Sequence, residues 1–296
     1  MVNGLTGCTI SEVFMTQPLY YVNGSFVKKS NAVVGVHDLG FIRGWGVFDF
    51  LVTYKGGKPF LLTKHLARLR KSAKLIGLSL PSSSKKIAEI ILATIKKNLN
   101  GHEKTVRIVV TGGQSNDSLT PSGKPTLIVM VNDRHLYPVS FYKKGVSAIT
   151  FEYSRENPQA KSLNYTFGIK AILHAQKAHA LEAIYVNKKS NDVLEGVTSN
   201  VFIVKKGQVT TPHEDTLPGI TRELVIKLCK NIATFGEHKV TIQDLLSADE
   251  VFLTATNKEV MPVVRIDKKL VAKGLPGPVT QSIMAAYKKF TAEARW

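Results

Sequence analysis

The sequence predicts an α+β chain in two domains, a small α/β unit followed by a larger one with a barrel-like β core. Three observations predict it. Residues 18–135 read as strands, then two helices, then strands, the order of an α+β unit. Residues 136–144 carry Pro138 and no hydrophobic period, so they read as an interdomain linker. Residues 145–296 hold many short strands with hairpin turns and few helices, which suits a wrapped sheet with helices outside. At 296 residues, 44% of them hydrophobic, the chain can fill two cores.

The first unit opens with a hairpin at 19–27, because Asn23-Gly24 between apolar runs suits a two-residue turn. Residues 48–54 read as a strand, and Lys55-Gly56-Gly57-Lys58 turns it into a second at 59–62. Thr63 is the expected cap of a helix in which Leu66, Leu69, Ala73 and Ile76 recur at helical spacing, with Gly77 ending it. Ser84 is the expected cap of the next, with Ile87, Ile91, Ile95 and Leu99 on one face and Gly101 beyond. Strands at 105–111 and 126–131 flank the turn-rich stretch 112–124. In the second unit, 146–151 reads as a strand. Leu163, Phe167, Ala171 and Ala175 recur every four residues after Lys161, as on one helix face. Short strands are expected at 182–187, 200–204 and 208–211, a helix from near Gly219, a strand at 250–256, a hairpin of 263–266 with 269–271, and a closing helix at 278–292.

Lys and Arg together number 40 against 22 acids, for a net charge of +18. The lysines are spread along the chain, in pairs such as Lys28-Lys29 and Lys96-Lys97, without a basic run interleaved with aromatics. That pattern makes a solvated basic surface and disfavours nucleic acid as partner. No apolar run approaches the ~20 residues that cross a bilayer. Residues 1–17 read as an N-terminal extension without the basic-then-apolar order of a secretory signal, and Met15 is an alternative start. Two cysteines, Cys8 and Cys229, make no disulfide framework, and the cytoplasm is the expected compartment. The eight histidines show no metal-ligand spacing, and no metal is expected.

Several features carry chemistry. Lys161 stands directly before an apolar helix, where partial burial lowers an amine's pKa and makes it nucleophilic. Glu195, beside Gly196, is either a solvated strand residue or the partner of a ring nitrogen. Gly219-Ile220-Thr221 opens a helix after Pro218, and the unpaired N–H groups there favour an anion. Thr254-Ala255-Thr256 adds hydroxyls at a strand end. Arg68, one residue from an apolar helical row, either snorkels outward or clamps a phosphate.

Taken together, the segments His65-Leu66-Ala67-Arg68-Leu69, Lys161-Ser162-Leu163-Asn164, Glu195-Gly196-Val197-Thr198-Ser199-Asn200-Val201-Phe202, Leu217-Pro218-Gly219-Ile220-Thr221-Arg222 and 249–256 with Glu259 resemble the class IV aminotransferases. These are the pyridoxal-phosphate enzymes of fold type IV, and the resemblance spans about Leu19 to Phe290. It implies a two-domain fold with pyridoxal 5'-phosphate in the cleft, and a homodimer. It makes Lys161 the Schiff-base lysine and proton shuttle, Glu195 the carboxylate at the pyridine nitrogen, and Arg68 the phosphate-binding arginine. Ile220 and Thr221 become the backbone phosphate cup, Thr256 the hydroxyl beside it, and Leu217 the apolar residue on the ring face. Tyr165 lies one residue earlier than the tyrosine that branched-chain enzymes place at the ring oxygen.

For the substrate, the Arg-x-His pair of the better-known D-amino acid enzymes is replaced by Thr111-Gly112-Gly113-Gln114, and their Tyr–Glu pair by Phe48-Asp49. Arg43 and Arg107 are the candidate carboxylate binders, Arg43 from the neighbouring subunit as an option. A salt bridge of Arg107 to Asp49 is the structural alternative. Trp45, Phe48 and the 112–117 loop are expected to shape the side-chain pocket. The resemblance therefore implies transamination between an amino acid, D- or branched-chain, and a 2-oxo acid. A lyase that eliminates pyruvate from aminodeoxychorismate is the alternative, and a basic nucleic-acid-binding protein on a relict scaffold the remote one.

Overall fold

The computed structural model describes residues 17–293, so all of the expected N-terminal extension except Gln17 lies outside the described residues. The chain builds two sheets. The first has six strands: β1 (Leu19–Val22), β2 (Ser25–Lys28), β3 (Gly46–Tyr54), β4 (Lys58–Pro59), β5 (Lys104–Thr111) and β6 (Thr126–Asp133), in the order β2-β1-β6-β5-β3-β4. The β1–β2 hairpin turns at Asn23-Gly24, both with positive φ. Helices α1 (Leu39–Arg43), α2 (Leu62–Leu75) and α3 (Ser84–Lys97) accompany it. α2 and α3 cover one face, where Val47, Leu51, Val106, Ile108 and Val110 meet Leu66, Leu69, Ile87 and Ile91 in a closed core. The opposite face carries Phe48, Val109 and Ile128, against which Leu163 and Tyr165 of the following half pack.

The second sheet has ten strands: β7 (Val146–Glu152), β8 (Glu182–Val186), β9 (Asp192–Gly196), β10 (Asn200–Lys205), β11 (Gln208–Thr211), β12 (Thr234–Glu237), β13 (Val240–Thr241), β14 (Glu250–Ala255), β15 (Glu259–Ile266) and β16 (Lys269–Leu270). Its order is β12-β11-β10-β14-β15-β7-β8-β9-β13, with β16 on β15, and it curls into a half-barrel. Helices α4 (Val139–Lys144), α5 (Thr166–Lys177), α6 (Ile220–Cys229), α7 (Ile242–Leu246) and α8 (Pro278–Glu293) pack around it. Val201, Ile203, Leu253, Met261 and Val263 fill one side. Phe202, Phe252 and Val260 face Leu224, Val225, Ile283 and Tyr287 of α6 and α8 on the other. That alternation along β10 and β14 is the period of two that a strand buried on both faces displays. No described helix is long and apolar enough to cross a membrane.

Four local expectations are corrected. α2 starts at Leu62 after Leu61 in a left-handed conformation, with no side-chain cap, so Thr63 lies inside the helix and the strand expected at 59–62 is instead the short β4, ending at Pro59. The cap of α3 is Ser83, which accepts from Lys86 N–H, rather than Ser84. Leu163 is not on α5, which begins at Thr166; it lies in the approach segment. Within the expected linker, Val139–Lys144 is helical.

Candidate active site

Lys161 is delivered by a seam between the two sheets. Phe48 N–H donates to the Lys161 carbonyl and Leu163 N–H to the Gly46 carbonyl, both at 2.9 Å, so three residues add a short antiparallel bridge to β3. The Lys161 N–H donates to the Ser72 hydroxyl on α2 at 3.0 Å. With its backbone held from two elements, the half-buried side chain enters a cavity of about 560 Å³, its Nζ 4.6 Å from the centre of the Phe48 ring. Burial first, and then the Arg68 charge, lower the amine to about 7, with Asp49 partly opposing both. A lysine so placed is an available nucleophile near neutral pH.

Glu195 lies near the end of β9 and lines the same cavity. Its Oε1 pairs with Arg155, through Nε at 3.0 Å and a closer Nη2, and its Oε2 accepts from Leu217 N–H at 2.9 Å. Burial pushes the carboxyl up, and Arg155 and the Leu217 amide pull it back. Asn200 Nδ2 holds the Leu217 carbonyl at 2.9 Å, which orients the segment leading into α6. Gly219 caps α6 with extended backbone and no side-chain acceptor, and a Cβ there would collide with Asn200 Oδ1. The helix thus opens into the cavity with Ile220 and Thr221 at its rim. Thr254 Oγ1, also on the wall, is buried without a partner among the described residues. A glycine-smoothed helix start, an orphan hydroxyl, a buried carboxylate and an amine poised near neutrality fit the tail, ring and aldehyde of pyridoxal phosphate.

Arg68 lines the cavity, but its guanidinium is held from behind by Asp49: Nε to Oδ2 at 2.9 Å and Nη2 to Oδ1 at 2.8 Å. His65 Nδ1 lies 2.7 Å from Asp49 Oδ1, and Phe50 N–H donates to the same oxygen at 2.7 Å. Burial alone would raise the Asp49 carboxyl, yet Arg68 and His65 hold it well below the usual carboxylate range, while burial lowers the His65 imidazole. The alternative of an Arg107–Asp49 bridge is therefore not realised. In the β3–β5 register Asp49 opposes Ile108 and Phe50 opposes Arg107, so the two side chains leave opposite faces of the sheet. Arg107 instead lies over Phe48 and Phe50, with its guanidinium carbon 5.1 and 5.6 Å from the ring centres, exposed on the cavity wall. It has no ion pair among the described residues.

Lys161, Arg68, Glu195, Leu217, Ile220, Thr221, Thr256, Phe48 and Arg107 all line the one cavity. Arg43 does not: on α1, its Nε donates to the Ser118 carbonyl at 3.0 Å, away from this wall. Trp45 is also absent from the wall, since its indole N–H donates to the Ile76 carbonyl beside the first core. The 112–117 loop lies outside the wall as well. Sequence reasoning missed Arg155, which sits in a polar, aperiodic stretch and finds Glu195 only in three dimensions. Lys258, in the turn between β14 and β15, was missed too, and one charge among 40 bases had no local signal.

The family described as Amino-transferase class IV matches residues 46–266. The chain is 35% identical over 278 residues to a putative branched-chain-amino-acid aminotransferase of Methanocaldococcus jannaschii, covering 90% of this chain and 94% of that one. It is 33% identical to a D-alanine aminotransferase of Staphylococcus epidermidis, over 91% and 96% of the two chains. Among solved structures it superposes on a T.th. branched-chain amino acid aminotransferase with pyridoxamine 5'-phosphate at a TM-score of 0.87, with 28% identity and 94% and 95% coverage.

Proposed function

The chain belongs to the class IV aminotransferase family, and from that premise we propose that the cavity around Lys161 moves an amino group between an amino acid and a 2-oxo acid. The observation that carries this is Lys161 Nζ, lowered to about 7, in one cavity with Glu195 and the open start of α6. Enzymes of the family depend on pyridoxal phosphate, which when bound supplies an aldehyde for the amino group and an electron sink for the α-carbon. In this chain Ile220, Thr221, Thr256 and Arg68 would hold its phosphate, Glu195 would keep its ring nitrogen protonated, and Leu217 would pack on the ring. Lys161 would be the amine that meets its aldehyde and the group that carries the proton at the substrate α-carbon. Phe48, Tyr165, Leu163 and Ile172 exclude water from that end, and Arg107 takes a substrate carboxylate.

The substrates favoured by the relatives are branched-chain amino acids and D-alanine. Those relatives are aminotransferases, which favours transfer over elimination of pyruvate. We further propose a homodimer, a domain division at residues 136–144, and the cytoplasm as compartment. A panel of D- and L-amino acids added to the yellow holoprotein tests the function. The expected result is conversion of the aldehyde absorbance band to the amine band with at least one member. Pyruvate release without an oxo-acid acceptor, or no spectral change across the panel, would overturn it.

A further inference from the structure

Lysine is rarely buried unless paired, yet Lys258 is 3% exposed in the wall of the cavity. Its Nζ donates to Glu182 Oε2 at 3.1 Å and to the Thr198 hydroxyl at 2.5 Å. Glu182, fully buried on β8, also accepts from the hydroxyls of Thr198 at 2.7 Å and Ser199 at 3.1 Å. The ammonium therefore joins three parts of the chain: β8, the loop between β9 and β10, and the β14–β15 turn. Two of them, residues 196–199 and 254–258, form part of the cavity wall.

The next residue is fastened from the other side. Glu259 has a φ of +56°, in the left-handed region, and its Oε1 accepts from the Tyr54 hydroxyl at 2.8 Å and from Arg134 at 2.7 Å. The Tyr142 hydroxyl donates to the Lys258 carbonyl at 3.3 Å. Consecutive residues of opposite charge thus anchor one turn to both sheets. A buried ion pair adds little net stability, because desolvation offsets the attraction, but it accepts few geometries.

On the reading that this cavity is the transamination site, we propose that Lys258 is a positioning residue for the amino-acid substrate. Its ammonium fastens turn 256–258 to loop 197–199 at the separation the substrate requires, and it takes no part in amino transfer itself. The test uses holoenzyme of Lys258→Met, which keeps length and removes charge, and of the Lys258→Met/Glu182→Gln double variant, which also removes the stranded carboxylate. L-leucine and D-alanine are the donors. The expected result, with pyridoxal phosphate saturating, is a KM about tenfold higher for the converted donor with kcat within about threefold. The double variant regains thermal stability and keeps the raised KM. An unchanged KM in Lys258→Met, or a wild-type KM in the double variant, would overturn the proposal. Amide hydrogen exchange of the holoenzymes needs no substrate. Faster exchange at Val197 and Lys258 in Lys258→Met than in the wild type supports the fastening and equal exchange refutes it, even if no amino acid in the panel is converted. Fastening and transamination thus fail separately.

Discussion

At the residue scale, two side chains decide the chemistry, and each makes a prediction. Lys161 Nζ is a free amine only above about 7. Below that value the ammonium has no lone pair for an aldehyde, and above it the amine is available. Capture of pyridoxal phosphate by the apoprotein, followed by absorbance in a stopped-flow mixer, should rise with pH and reach half its plateau near 7. At pH 6 it should be about tenfold slower than at the plateau. A rate still climbing steeply between pH 9 and 10 would mean an ordinary lysine. Arg107 reaches the cavity without an ion-pair partner among the described residues. Arg107→Met should raise KM for the amino donor about tenfold or more, the usual worth of a charge-assisted hydrogen bond, and an unchanged KM removes Arg107 from the substrate site. The sequence showed Arg107 in an apolar strand but not its face, because a face depends on strand register. Asp49 illustrates the same gap. Its partners are His65 and Arg68, sixteen and nineteen residues on, and only the packing of α2 on β3 brings them together.

At the scale of elements, long periodic segments were readable and short ones were not. α3 follows from spaced apolar residues, and the β1–β2 hairpin from Asn23-Gly24. β9 has five residues, β12 four and β13 two, too short to show a period, and their place comes from pairing with distant strands. The cap of α3 was misplaced because Ser82, Ser83 and Ser84 all qualify, and that of α2 because the helix starts after Leu61 with no side-chain cap. The start of α6 was readable, since Pro218-Gly219 marks it, and the structure adds why glycine is needed: any side chain would strike Asn200. Gly219→Ala should push Asn200 off the Leu217 carbonyl and misplace the mouth of α6. Equilibrium titration should show affinity for pyridoxal phosphate reduced about tenfold or more while the far-ultraviolet dichroism stays unchanged. Equal affinity would mean that the anion is held elsewhere.

At the scale of the molecule, the proposed homodimer has exposed apolar side chains to draw on. Val33, Val36 and Phe41 are exposed by 73%, 67% and 72%, and α5 exposes Phe167, Ile169 and Leu173. Large apolar side chains left in water are the kind an association surface would cover. Arg43 lies on α1 two residues past Phe41, so in the proposed homodimer it would stand beside the interface. Val36→Asp with Phe41→Asp should convert the sedimenting species from dimer to monomer. A monomeric wild type at micromolar concentration would end the idea.

The bridge between Gly46–Phe48 and Lys161–Leu163 has one more implication, for how such a chain can be divided. A fragment starting at residue 145 would contain the lysine and the glutamate, yet lose the aromatic floor, Ser72 and both β3 anchors. Its amine would stand in water with ordinary basicity. The complementary fragment would contain Arg68 and Arg107 with nothing to act on. Reactivity here is a property of the junction, so exchanging halves between homologous proteins should succeed only when those three residues of contact travel with the exchange.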